Sequence, residues 1–351
     1  KRNIDMAYTT IDDPTVYFDN KLYAGNGGTT NVTGLSFEPD MTWIKNRSAA
    51  GDHEIYDKVR GVGYRIYPNA VAAQDDLGSQ GLSAWNSDGF TVGNNGAING
   101  NGNNIVSWNW KANGAGATNQ NGSINTIKTS ASTASGVSIS TYTGTGSNAT
   151  VGHGLGVAPK VVIIKSTTAG EDWTMFHEAI GATKYLVLNS QGGVGGPAAG
   201  PFNNTAPTSD VFSVGTWGST NGSSQTLVAY CFAEKQGFSK FGSYLGNGST
   251  NGSFIYTGFS PALVIMKCSS SGATPWLIWD NKRPGYNVTN LRLRPNTNDD
   301  EDTSTADPID LLSNGFKCRG SNDDSNKAGS SFIYMAFAES PFVSSTGIPT
   351  T

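Results

Sequence analysis

One pattern is written three times along this chain, and any fold must accommodate all three copies. Each copy opens on a tyrosine followed by alternating glycines. The segments are YAGNGGTTNVTGLSFEPDMTWIKN from Tyr23, YTGTGSNATVGHGLGVAPKVVIIKS from Tyr142 and YLGNGSTNGSFIYTGFSPALVIMKC from Tyr244. Each passes a proline (Pro39, Pro159, Pro261) and enters an apolar stretch at whose end a lysine stands (Lys45, Lys165, Lys267). A second aromatic stretch follows: HEIYD from His53, WTMFH from Trp173 and WLIWD from Trp276. Each copy closes on Ser-Asx, one residue, Phe, a polar glycine-rich segment and a final apolar run, as in SDGFTVGNNGAINGNGNNIVSWNWKANG (87–114). The counterparts begin at Ser209 and Ser313.

From Lys45 to Lys165 is 120 residues and from Lys165 to Lys267 is 102. Solenoid repeats run only about 20 to 50 residues, so each copy has the size of a domain. Stretches such as VVII, LVIM, TLVAYCF and SFIYMAF are short, β-branched or aromatic, and bounded by Gly, Asn, Pro and Ser; they read as strands. Helical periodicity is almost absent. In the 87–114 stretch, Phe90 with Val92 and Trp108 with Trp110 alternate toward a core, and NNGAINGNGNN supplies the turn chemistry between them. The expectation is an all-β protein, a tandem array of three similar β-sandwich or jelly-roll-like domains. Residues 1–114 form the first with an N-terminal extension, 115–136 a Ser/Thr/Asn-rich linker or edge strand, 137–236 the second, 237–342 the third and 343–351 a tail. The short connection KQGFSKFGS predicts close packing of the last two.

Charged residues make up 14% of the chain, with 23 Lys plus Arg against 27 Asp plus Glu and no basic stripe; nucleic acid is not an expected partner. No apolar run approaches the roughly 18 to 20 residues that span a bilayer, so no membrane insertion is expected. The chain opens on Lys1 rather than Met, which reads as a processed or trimmed product. Cys231, Cys268 and Cys318 are widely spaced and outside any CxxC or Cys/His cluster; they read as small core residues.

Candidate chemistry is sparse. His53 takes the place of Trp173 and Trp276, His177 that of Asp57 and Asp280, and His153 lies in VGHGLG. No HExxH, GxSxG or nucleotide-binding loop occurs, so no catalytic residue and no cofactor is expected. The recurring lysines read as scaffold, their stems over apolar neighbours and their heads toward carboxylates such as Asp57 or Asp280. Asp299, Asp300, Glu301 and Asp302 form the densest acidic cluster, a candidate for a hard cation that matches no known loop spacing and reads chiefly as a solvated loop. The sequons at Asn31, Asn148, Asn221 and Asn287 arise from composition. Trp217, in GTWGSTNG, is a candidate for ligand binding: a low-charge Asn/Ser/Thr/Gly surface with aromatics in turns suits neutral polar ligands, sugars above all, and equally suits the packing of identical subunits.

In combination, FEPDMTWIKNRSAAGDHEIYDKVRG, SDGFTVGNNGAINGNGNNIVSWNWKANG, YTGTGSNATVGHGLGVAPKVVIIK and the closing SSFIYMAFAESPF resemble a family of repeated domains of unknown function in structural proteins of tailed, often marine, bacteriophages. The resemblance covers about Tyr17 to Phe342. It implies a non-enzymatic component at the virion surface, a tail fibre or other appendage, in which a further β-domain often precedes these repeats. Its partners would be other virion proteins, further copies of itself (a trimer is the expectation) and a host surface glycan or envelope protein. The family offers no catalytic residues to carry over. Two alternatives stand beside this reading. One is a capsid-decorating or cementing protein without a ligand. The other is a virion glycanase, for which Glu54 with Asp57, or Asp280 with Asp310, are the first carboxylate pairs to measure.

Overall fold

The computed structural model describes residues 8–350 and is all-β, built from antiparallel sheets. The first copy contributes β1 (Phe18–Ala24), β2 (Thr30–Val32), β3 (Met41–Asn46), β4 (Glu54–Asp57), β5 (Tyr64–Arg65), β6 (Asp75–Asp76), β7 (Leu82–Asn86), β8 (Gly89–Val92), the helical turn α1 (Gly96–Asn99) and β9 (Asn104–Trp110). The second contributes β10 (Lys128–Ser132), β11 (Val137–Thr143), β12 (Ala149–Gly152), β13 (Val161–Ser166), β14 (Thr174–His177), β15 (Leu186–Val187), α2 (Ala199–Phe202), β16 (Val211–Val214), α3 (Gly218–Asn221) and β17 (Thr226–Phe232). The third contributes β18 (Ser239–Leu245), β19 (Phe254–Tyr256), β20 (Phe259–Cys268), β21 (Trp276–Asp280), β22 (Ile309–Leu312), β23 (Gly315–Cys318), α4 (Asp323–Asn326) and β24 (Ser331–Pro341).

One strand order recurs. The large sheets run β1-β9-β3-β4, β11-β17-β13-β14 and β18-β24-β20-β21, the second extended by β10 at one edge and β15 at the other. A smaller sheet belongs to each copy: β2-β8-β7, β12-β16 and β19-β23-β22.

Side chains alternate across a strand, so one with large apolar residues on both faces must bury both. On β9, Val106, Trp108 and Trp110 enter one core while Ile105 enters another with Phe90 and Val92 of the small sheet. On β17, Val228, Tyr230 and Phe232 divide from Leu227, Ala229 and Cys231 in the same way. One face of each large sheet is covered by its own small sheet. The other finds its partner in the remaining two copies.

The first and second copies each keep a cluster of buried residues of their own, and a further continuous cluster draws on all three. At its centre stand three residues in corresponding register: Trp110 opposite Met41, Phe232 opposite Val161 and Phe337 opposite Leu263. Their rings form a triangle, with centroids 6.4 Å (Trp110–Phe232), 5.6 Å (Trp110–Phe337) and 5.7 Å (Phe232–Phe337) apart, all at edge-to-face angles. The void beside this triangle is about 20 Å³ and wholly apolar, lined among others by Met41, Ile163, Ile265 and Met335. The centre is therefore packed.

The crowding of asparagine and glycine near core residues has a structural cause. The helical turns α1, α3 and α4 each end on a buried asparagine, Asn99, Asn221 and Asn326. Its carboxamide ties the Tyr-x-Gly-x-Gly loop down: Asn99 Oδ1 accepts from Asn26 N at 3.0 Å, Asn221 Oδ1 from Thr145 N at 2.8 Å and Asn326 Oδ1 from Asn247 N at 3.0 Å. Each Nδ2 donates to a backbone carbonyl behind it, of Gly93, Gly215 or Gly320. The first glycine of the loop is required by proximity: a Cβ on Gly25 would lie 2.2 Å from the Gly100 carbonyl oxygen, and one on Gly144 2.3 Å from that of Gly222. Tyr23 and Tyr142 donate their hydroxyls into the same turns, to the carbonyls of Ile98 and Thr220. Polar loop and apolar core adjoin because the loop is braced from within. Asn221 is thereby enclosed, and its sequon is structural.

Candidate functional site

The recurring residues converge on the seams between copies. At one set, a side chain ending the fourth strand of each large sheet reaches the next copy. Asp57 accepts from the Tyr230 hydroxyl at 2.7 Å, His177 Nε2 lies 3.2 Å from the Tyr334 carbonyl oxygen, and Asp280 accepts from the Trp108 indole N–H at 3.0 Å. The series runs first to second, second to third, and third back to first, which closes a ring. Arg60 and Arg283 bind Asp57 and Asp280, each at 2.6 Å; all four side chains are buried.

A second set runs the other way. Trp173 donates its indole N–H to the Tyr67 carbonyl at 2.8 Å and Trp276 to the Val187 carbonyl at 3.1 Å. His53, in the same place, reaches the Arg294 carbonyl oxygen at 3.1 Å. Its Nδ1 accepts from Trp43 at 2.9 Å, so Nε2 carries the proton and donates as the indoles do.

The lysines correct an expectation. All three are buried, and neither Asp57 nor Asp280 is their partner. Lys165 Nζ donates to the carbonyls of Val71 in the first copy, at 2.7 Å, and of Glu171, at 2.6 Å. Lys267 Nζ donates to Gln191 in the second copy, at 3.1 Å, and to Thr274. Lys45 Nζ donates to its neighbour Asn46, and the carboxylates of Asp300 and Asp299 favour its charged form. Burial lowers each ammonium from 10.5 to about 8. For Lys165 and Lys267 a backbone carbonyl of the adjacent copy is a partner because loops of that copy lie over the strand end.

Burial also holds all three histidines below the ordinary imidazole range, His177 at about 4 against 6.5. His177 Nδ1 accepts from the Ala179 amide at 3.2 Å while Nε2 faces a carbonyl, so a second proton on Nδ1 would oppose an N–H. The unfolded chain takes up a proton below pH 6.5 that the folded chain refuses until about pH 4. The contribution of His177 is thus complete above pH 6.5 and is lost as pH falls through that window, by up to about 3 kcal/mol. The expected result is a thermal midpoint that drops between pH 7 and pH 4.5, with a shallower drop for His177→Asn.

The acidic cluster is engaged by arginines. Glu301 takes a two-pronged contact from Arg47, at 2.9 and 2.8 Å, and one from Arg283 at 3.0 Å. Asp302 binds Arg292 at 2.8 Å and Arg294 at 2.6 Å; against the opposing effect of burial, the Ser304 amide and then Arg292 hold its carboxyl down at about 2. Asp299 accepts from Thr297 at 2.8 Å, and Asp300 is exposed. Glu301 closes the seam between third and first copies, whereas Asp299 and Asp300 stay exposed. Among the described residues no group of three or more His, Cys, Asp or Glu is placed to hold a metal.

Glu54 and Asp57, three apart on β4, point to opposite faces, so they cannot flank one glycosidic bond. Glu54 is held by Tyr56 and Arg65, both at 2.5 Å. Asp280 and Asp310 lie in different sheets, Asp310 beside Arg319 at 3.5 Å. Cys231, Cys268 and Cys318 are buried free thiols.

Trp217 stands apart from this inventory. It precedes α3 and is 36% exposed, on a groove of about 500 Å³ shared with Glu171, Asp172, Thr174, Tyr185 and Ser219. Tyr185 meets it edge to face with centroids 4.9 Å apart. Sequence reading singled out Trp217 alone. Glu171 and Tyr185 reach it from distant loops, and no local pattern signals them.

Like-ordered antiparallel sheets drawn around one aromatic core, with their recurring polar residues placed at the seams, define a repeat-built all-β protein in a closed arrangement. The chain belongs to the family described as a domain of unknown function, DUF7483, whose match spans residues 13–341 and so takes in all three copies. No curated protein matches it.

Proposed function

We propose that the chain is a non-enzymatic structural protein of a bacteriophage virion, part of a tail fibre or other surface appendage, contributing to host attachment through many weak contacts. In this reading the three copies are one β-sandwich module repeated, its recurring residues serving the architecture. The observation that carries the reading is where those residues go. Lys165 and Lys267, the Trp/His series and the Asp/His series all hold one copy to the next. The sequence resemblance to virion proteins supports the same reading. Repetition of the chain on a particle would turn weak contacts into lasting attachment.

Antibodies raised against the chain should decorate the surface of intact particles in electron micrographs, and the purified protein should adsorb to host cells and slow infection. Particles that stay unlabelled, together with cells that ignore the protein, would sink the proposal.

A further inference from the structure

We infer that the groove beside Trp217 binds a neutral saccharide. This deepens the attachment role above and rests on it only for the source of the sugar.

The first observation is that the second copy departs from its fellows at this place. The residue before the helical turn is Asn95 in the first copy and Asn322 in the third, each with Oδ1 accepting a backbone N–H of its own turn. Trp217 holds the equivalent position and makes no such bond. Asparagine is among the best residues for a helix start, and tryptophan forgoes that bond. A local rule broken at one of three equivalent positions, with an exposed aromatic in exchange, is a signature of use rather than of folding.

The second observation is that the groove is built. Three glycines make room for the side chains around it: a Cβ would fall 1.8 Å from Trp217 Nε1 on Gly200, 2.3 Å from the Tyr185 ring on Gly195 and 2.3 Å from Glu171 Oε1 on Gly218. The indole is seated against α2, which precedes β16 where the other copies have a third outer strand, β7 or β22.

The third is chemical. A flat indole at the wall of an open groove matches the C–H face of a pyranose ring. The Glu171 carboxylate has no hydrogen-bonding side-chain or backbone donor among the described residues, and Asp172 spends one oxygen on Asn189 at 2.8 Å. Both remain available to accept from vicinal hydroxyls, and both repel uronic acids and other anions. A quaternary ammonium would want several aromatic faces around it. Here two rings stand 78° apart and build no such cage, and the buried Lys165 ammonium behind the Glu171 carbonyl offsets the negative charge.

The test uses tryptophan fluorescence and calorimetry on the whole chain. The probes are trisaccharides of glucose, mannose, galactose and N-acetylglucosamine, with trigalacturonate and choline for contrast. At least one neutral trisaccharide should bind at millimolar concentration while trigalacturonate and choline do not. Trp217→Asn should fold normally, since asparagine holds that place in the other copies, and should lose about tenfold in affinity or more; Glu171→Gln should lose several-fold. Binding by none of the neutral trisaccharides, stronger binding of choline or trigalacturonate, or undiminished binding by folded Trp217→Asn would overturn the inference. Adsorption to host cells separates the two readings. Cells bound equally by wild type and Trp217→Asn leave attachment standing without this groove, and saccharide bound without adsorption leaves the groove standing without attachment.

Discussion

Replacing Phe337 with alanine should lower the stability of the whole chain by about 3 to 5 kcal/mol, the usual cost of removing a buried ring. The loss should appear in all three copies together. Phe337 lies against Trp110 and Phe232 of the other two copies, and also touches Phe18, Phe238 and Phe241. A cavity there removes contacts from every large sheet at once. Calorimetry should show one transition in the wild type and one, at lower temperature, in the variant. Separate transitions, with only that of the third copy displaced, would mean that each copy holds its own core.

The second large effect is expected at the seam where the third copy returns to the first. Asp280 is buried and takes four hydrogen bonds, from Trp108, Arg283 Nε and the amides of Lys282 and Arg283. Asp280→Ala leaves the buried Arg283 guanidinium with Glu301 as its one carboxylate and leaves the Trp108 indole unpaired. Truncating one partner of a buried pair costs about 3 to 5 kcal/mol, mostly for the charge left behind. Asp280→Asn keeps an acceptor for Trp108 and should recover part of the loss. Urea denaturation of the two variants checks both. Equal loss in each would place the cost in the ion pair alone, and no loss in either would show that the ring does not need this seam.

The copies, their strands and the identity of equivalent residues could be read from the sequence, because a repeat compares itself: Lys45, Lys165 and Lys267 declare their correspondence, and so do His53, Trp173 and Trp276. Closure could not. On the strand 105–110, Ser107 and Asn109 alternate with Val106, Trp108 and Trp110, which reads as one face to a core and one to solvent, yet both faces are buried; nothing in that pattern shows that the apolar face packs against other copies. The lysines were legible as scaffold but not as donors to carbonyls, since a backbone acceptor in another copy leaves no trace in side-chain identity. Likewise Trp217 could be picked out as an aromatic in a turn, whereas the glycines that seat it matter only through distances across the fold.

The ring formed at the seams also bears on how such a protein can change over time. An open stack of repeats lengthens by duplication and protects its two ends with altered terminal units. Here the third copy is fastened to the first through Asp280 and Trp108, so a fourth could enter this ring only by prising that junction apart. Within the ring, geometry sets the number of copies at three.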